Sequence, residues 1–375
     1  MEKKVKQMAN TAGADLIGIT SKERLEGNKC ADPTYYLSNA ESVIGFAVSL
    51  DPEIVRDFLG KKSVTAQEGM SRLEGKTYHK LEEIGEAIKG FLESEGYKAV
   101  NCEVNMDYRR VNRKKAEQSI DQMKNLIALI EKNPNDPLVE LVKKRDTFYD
   151  PDLTPRISLR YVAVACGFGR LGWSGNLLTP EYGALIYLGG VVTDAKLAPD
   201  PQMTENPCNQ CKICTNVCQG QFFDAVESQT VKIGEIEETI GKRHSLSKCN
   251  LSCGGFTGQS KFRDWGTWSP WRIAIPADDV EADKAFNRTL KEFLLAGGLK
   301  AQNLLRLNTD TLRGFGKAVK PVNEFRVYCA CCQLVCGPTE EGRRENLKSL
   351  KASGVVELNA KNRLVLKSPS KASKL

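Results

Sequence analysis

The residues most able to do chemistry are cysteines, thirteen of them in 375 residues. Cys208, Cys211, Cys214 and Cys218 form a C-x2-C-x2-C-x3-C run, and Cys329, Cys332 and Cys336 form C-x2-C-x3-C. Three thiolates within seven residues wrap three corners of a cubane, and in two-cluster iron–sulfur proteins the fourth cysteine of such a run ligates the other cluster. The spacing therefore predicts two [4Fe–4S] clusters. Cys208, Cys211, Cys214 and Cys336 hold one, while Cys218, Cys329 and Cys332 hold three corners of the other. The eighth ligand is open, with Cys249 and Cys253 as candidates; Cys331 adjoins Cys332, so their side chains diverge. Zinc sites usually show two separated C-x2-C pairs, and a triple run followed by a fourth cysteine is more specific to iron–sulfur chemistry. The proline that often follows such runs is replaced by Gln219 and Gly337.

Only two histidines, His79 and His244, are present. That count nearly excludes metal sites or catalytic triads needing several imidazoles. The charge of +7 reads as a solvated basic surface, the alternatives being attraction to an anionic substrate, a nucleic acid or an acidic electron donor. No apolar run reaches the roughly 18 residues that span a bilayer. Met1–Val5 carries neither an apolar leader core nor an Arg-Arg pair. A cytoplasmic protein is expected, in which clustered cysteines bind metal.

Periodicity predicts the elements that position these groups. A helix is expected over 2–12, strands at Asp15–Thr20 and Ser42–Ser49, and a helix at His79–Glu95 followed by a strand at Lys98–Val104. Residues 109–146 read as charged helix interrupted at Asn133–Pro137, either a surface excursion over the core or a solvated helix. Leu159–Cys166 reads as helix, Gly183–Thr193 as a strand or a tight strand pair and 280–296 as amphipathic helix. The last fifteen residues read as a disordered basic tail. Helices alternating with strands before residue 200 suggest a layered α/β or α+β core.

The segment Ala165–Gly183 (ACGFGRLGWSGNLLTPEYG), lying just ahead of the cysteine runs, resembles the glycine-rich signature of corrinoid-dependent reductases, namely reductive dehalogenases and epoxyqueuosine reductases. The resemblance covers residues 1–200 and both cysteine clusters and is weak over 109–146 and 240–320. It implies an α+β fold. A nitroreductase-like corrinoid-binding core would occupy 1–200. A two-cluster ferredoxin-like domain would occupy 201–345, with a Trp-rich insertion at about 240–320, and a basic tail would follow at 346–375. It implies a cobalamin that is base-off, because neither histidine lies in a D-x-H-x-x-G motif. Gly167, Gly169 and Gly172 would admit the corrin, with Gly175 beside them. Ser174, Asn176 and Thr179 would hydrogen-bond its amides. The plainer alternative is a turn that packs helix on strand.

A proton donor is expected just before this signature, at Tyr149, Asp150 or Tyr161, with Asp152 in the same window; the alternative is a turn and a core tyrosine. In the insertion, Trp265 and Trp268 would stack on a planar substrate and Arg263 and Arg272 would bind an anion, unless the tryptophans plug the space between domains. The expected activity is reductive cleavage or elimination, at carbon–halogen or carbon–oxygen, on a small substrate, with electrons from a ferredoxin or flavodoxin. The alternatives are tRNA modification of the epoxyqueuosine reductase type and a non-catalytic electron carrier.

Overall fold

The computed structural model describes residues 1–28, 31–102, 113–144, 157–258, 260, 264–313 and 327–368. The chain opens with α1 (Glu2–Thr11), β1 (Leu16–Ser21), the short α2 (Lys22–Leu25), β2 (Ser42–Ser49), α3 (Pro52–Gly60), α4 (Thr65–Ser94) and β3 (Ala99–Asn101). It continues through α5 (Arg113–Lys132), α6 (Pro137–Lys144), α7 (Leu159–Ala165), β4 (Arg170–Leu171), β5 (Leu177–Leu178) and β6 (Ile186–Thr193). The main sheet has the order β1-β2-β6-β3, antiparallel throughout. Side chains alternate across a strand, and β2 shows the consequence. Its Ile44 and Phe46 pack with Leu81, Ile84 and Ile88 of α4 on one face. Its Val43 and Ala47 pack with Val162 and Ala165 of α7 on the other. Both faces are covered, so β2 is an unbroken apolar run.

The chain continues as α8 (Ile213–Val217), the hairpin β7 (Phe223–Ile233) and β8 (Ile236–Arg243), α9 (Leu246–Cys253), α10 (Asp279–Leu295) and α11 (Gly298–Arg313). It closes with α12 (Cys331–Leu334), α13 (Glu340–Lys351), β9 (Val355–Leu358) and β10 (Leu364–Lys367). Ile233 and Ile240 of the β7–β8 hairpin are buried in the same cluster as Val43 and Val164. The hairpin after residue 200 is therefore part of the core before it.

Several expectations shift. Helix α4 begins at Thr65, well before His79, because Met70, Glu74 and Tyr78 are buried within a stretch whose glycines and charges hide the pattern. Strand β6 starts at Ile186, since Thr179 and Gly183 pair across a tight turn first. Helix α5 buries Ile127 and Ile130 against Phe286, Phe293 and Leu304 of the insertion, so these two segments of the chain share one helical cluster.

The predicted basic tail is corrected. Residues 346–367 continue α13 and form the β9–β10 hairpin, with Leu350, Val355 and Val356 buried. On α13 the exposed Lys348 and Lys351 flank buried Leu350, and residues 369–375 lie outside the described residues. Among the described residues no helix is long and apolar enough to cross a membrane.

Candidate functional site

The cysteines come together in two groups. Cys208, Cys211, Cys214 and Cys336 line one small cavity together with Gly172, Trp173, Lys212 and Arg343. Burial pushes the Cys214 thiol up to about 12, and the neighbouring Cys336, Cys208 and Cys211 add to it. Burial likewise pushes Cys336 up to about 12, against the pull of Arg343. Cys218, Cys249, Cys253, Cys329 and Cys332 line a second, larger cavity. Burial raises Cys218, and burial with the nearby Cys218 and Cys253 raises Cys332 well above the usual thiol value.

Cys214, Cys218, Cys332 and Cys336 resist ionisation because desolvation and mutual repulsion disfavour the thiolate, whereas hydrogen bonds from Cys249 and Cys329 draw Cys253 well below the usual thiol value. Bound iron is what stabilises such groups as thiolates, so both sets suit a cluster. Among the described residues no three His, Cys, Asp or Glu side chains are close enough to hold one metal ion. A cubane, whose corners stand apart, asks for more widely separated thiols than a single ion does.

Local backbone builds both loops. Gln210, Lys212 and Ala330 adopt positive φ, between +47° and +57°. Left-handed backbone at non-glycine residues costs of order 1–3 kcal/mol each, and the cysteine loops carry it in order to turn tightly. Cys249 and Cys253 are one turn apart on α9, with their sulfurs 3.5 Å apart. Cys253 also hydrogen-bonds with Cys329 and lies by Cys218 and Cys332. Cys331 turns away, its thiol donating to the Cys329 carbonyl 3.4 Å distant. Lys61 is buried nearby and donates to Ser353 Oγ at 2.7 Å and to the Gly266 carbonyl. Burial pulls its pKa down to about 8, against the opposing influence of Cys331 and Cys329.

The larger cavity encloses about 530 Å³, within the 300–1,000 Å³ usual for ligand sites. Its walls combine the five thiols with Ser174 and Asn176 of the glycine-rich loop, Arg160, Arg243, Glu74, Tyr78, Tyr187 and Tyr328. Asn176 Nδ2 reaches Cys332 Sγ at 3.7 Å, so the loop touches the second thiol group directly. At another part of the wall the Tyr187 hydroxyl donates to Glu74 Oε1 at 2.5 Å, and the Tyr187 ring stacks on Tyr78 at 4.7 Å. Burial, with Glu74 next in effect, holds the Tyr187 phenol well above its usual pKa.

The predicted cofactor residues divide. Ser174 and Asn176 face the large cavity. Gly167, Gly169 and Thr179 serve packing instead. A Cβ at Gly167 would meet the Pro201 carbonyl at 2.2 Å and one at Gly169 the Leu178 carbonyl at 1.9 Å. Thr179 is fully buried and accepts from the Tyr182 amide, closing a turn. Gly172 lies 3.5 Å, by its missing Cβ, from Cys208 Sγ and so belongs to the first thiol group. The loop is clamped from outside by β8, where buried Glu238 accepts from Arg170 Nε at 2.9 Å and from the Leu171 amide at 3.0 Å.

Of the predicted proton donors, Tyr149 and Asp150 lie outside the described residues, as do Asp152 and Arg263. Tyr161 packs at the edge of the core and lies near Arg243. The tryptophans are corrected from a substrate platform to a plug. Trp265 and Trp268 are each 1% exposed and pack with Phe58, Leu350 and Val356. Trp268 Nε1 donates to the Phe58 carbonyl at 3.1 Å. Replacing Trp268 with alanine is expected to destabilise the protein by about 3–5 kcal/mol, read by chemical denaturation. Arg272 donates to the carbonyls of Ser269, Trp271 and Val356, an internal strut where an anion contact was expected. Sequence reasoning missed Glu74, Tyr187, Arg160 and Arg243. They lie far apart along the chain and carry no motif.

No family model matches the chain. One stretch of 65 residues is 35% identical to an epoxyqueuosine reductase of Bacillus anthracis, and one of 60 residues is 40% identical to that of Listeria monocytogenes. The first match spans 17% of the chain and 17% of the relative, and the second 15% of each. Among solved structures, one described as a reductive dehalogenase with a mechanism for B12-dependent dehalogenation is 14% identical. It covers 86% of this chain and 37% of its own, at a TM-score of 0.42. An epoxyqueuosine reductase solved with a modified tRNA stem loop is 14% identical over 93% of this chain and 98% of its own, at a TM-score of 0.39. The names these matches carry, epoxyqueuosine reductase and reductive dehalogenase, are those of the corrinoid-dependent reductases that the glycine-rich segment and cysteine runs resemble.

Proposed function

We propose that this chain is an iron–sulfur and corrinoid-dependent reductase that carries out a reductive cleavage or elimination on a small substrate. One observation carries the reading: the second thiol group opens onto a ligand-sized cavity that also holds a buried acid hydrogen-bonded to a half-buried phenol. A plain electron carrier needs no such cavity.

In this reading Cys208, Cys211, Cys214 and Cys336 hold the outer cluster. Cys218, Cys253, Cys329 and Cys332 hold the inner one, with Cys249 a spare thiol one turn away. A low-potential ferredoxin or flavodoxin would be the electron source, and clusters held by these two thiol groups would supply a relay toward the cavity. Ser174 and Asn176 would hold the corrinoid's edge. When bound, the corrinoid supplies a metal centre able to take electrons one at a time and pass them to a carbon–halogen or carbon–oxygen bond. The residues of the chain do the rest. The apolar wall of Ile157, Leu177 and Leu188 excludes water. Tyr187, kept protonated by burial and by Glu74, holds a proton at its hydroxyl for the product.

Anaerobic reconstitution with iron, sulfide and cobalamin tests this. Stoichiometric corrinoid with a base-off visible spectrum is expected. Intact clusters with no retained corrinoid would leave only the electron-carrier reading.

A second reading, tRNA modification, is favoured by the names of the curated relatives. It predicts tRNA binding that weakens steeply with salt, because phosphate contacts release counterions. For the small-substrate enzyme, titration of tRNA at rising salt is expected to show no such specific binding.

A further inference from the structure

Two guanidinium groups stand side by side in the wall of the large cavity. Arg160 of α7 donates from Nη1 to the Gly175 carbonyl at 3.0 Å and approaches Asn176 Oδ1 at 3.4 Å. Arg243, at the end of β8, donates from Nη2 to the Ser174 carbonyl at 2.7 Å. Consecutive carbonyls of the glycine-rich loop thus hold the two. Gly175 makes this possible: its φ is +71°, and a Cβ there would fall 1.8 Å from Arg243 Nη2. The Phe222 ring lies 4.8 Å from Arg243 Cζ and supports it from the side.

Among the described residues, hydrogen bonds use one nitrogen of each guanidinium and leave donors on both for a ligand. Among the described residues neither arginine forms an ion pair with a carboxylate. Glu74, the acid of this cavity, is engaged by Tyr187. Arginine stays charged under ordinary conditions. Burial and the neighbouring Arg160 work against the charge on Arg243 and outweigh the favourable influence of Cys332, Cys249 and Tyr161. Two like charges fixed together in a cavity call for an anion, and planar forks suit one with two or more oxygens.

We propose that Arg160 and Arg243 form an oxyanion site, taking a carboxylate or phosphate group of the ligand that fills the cavity. The proposal rests on reading that cavity as a ligand site. It does not need the ligand to be a corrinoid. The anion has two conceivable sources, a substituent on the substrate or the nucleotide phosphate of the corrinoid itself.

The test is calorimetric titration of inorganic phosphate into the protein carrying its clusters but no corrinoid. Saturable binding is expected, weakened about tenfold or more in Arg160→Gln and in Arg243→Gln, since each removes a charge-assisted contact. Arg160→Lys, which keeps the charge and loses the fork, is expected to fall between. Unchanged iron content and cluster absorbance establish that each variant is folded. Cobalamin and cobinamide, which lacks the nucleotide phosphate, then separate the sources. Weakened cobalamin binding with unchanged cobinamide binding assigns the site to the corrinoid phosphate. Equal binding of both by wild type and variants, with phosphate still bound beside the corrinoid, assigns it to a substrate anion.

Absence of saturable phosphate binding by the wild type overturns the proposal. So do variants that bind phosphate like the wild type but shift the reduction potential of the inner cluster, for then the arginines balance the cluster's charge. Failure to retain any corrinoid while phosphate binding persists removes the corrinoid reading and leaves the oxyanion site standing.

Discussion

Replacing Cys253 with serine is expected to remove the inner cluster and spare the outer one. Cys253 meets Cys249 and Cys329 directly and neighbours Cys218 and Cys332. A thiolate is a far better iron ligand than a hydroxyl, so the variant should keep roughly half the iron of the wild type. Reductive turnover should fall to background, because electrons then stop short of the cavity. Cys249→Ser is the matched control, expected to retain full iron. Iron and sulfide analysis with electron paramagnetic resonance of the reduced protein reads both outcomes. Full iron in the Cys253 variant and half in the Cys249 variant would reverse the assignment.

Tyr187→Phe is expected to lower the rate of the chemical step by about 10²–10⁴-fold, the range for loss of a positioned proton donor. Substrate affinity should change little, since the ring and its stacking on Tyr78 remain. The phenol is held above its ordinary pKa by burial and by Glu74. Its proton is thus present at neutral pH and persists as pH rises through the range where free tyrosine ionises. The wild-type rate should therefore show no alkaline fall attributable to Tyr187 below that range. Glu74→Gln withdraws the negative charge and should allow Tyr187 to ionise at lower pH, visible as tyrosinate absorbance in an alkaline titration. A Tyr187→Phe enzyme with wild-type kcat would assign the proton to another group.

The cysteine runs were legible because cluster ligation is local: three ligands within seven residues leave their spacing in the sequence. The strands β1, β2 and β6 and the helices α1, α7 and α10 were legible for a related reason, since burial on one or both faces writes a period into the chain. The start of α4 was not. Its buried face runs through Met70, which packs in the core, and through Glu74 and Tyr78, which reach the cavity and are polar for that reason. The glycines of the signature were legible as backbone that must pack closely, but their neighbours were not: Gly167 and Gly169 meet carbonyls, Gly172 a thiol group and Gly175 an arginine.

By itself the sequence determined the kind of chemistry, two groups of thiols suited to iron, and the local elements that carry them. The tertiary structure decided which side chains share the cavity. Glu74 and Tyr187 are 113 residues apart in the chain. Arg160 and Arg243 come from a helix and a hairpin end that meet at the glycine-rich loop. The reason is physical. Metal loops and periodic faces are set by neighbours along the chain, whereas a cavity is set by how layers pack, and no short-range pattern records that.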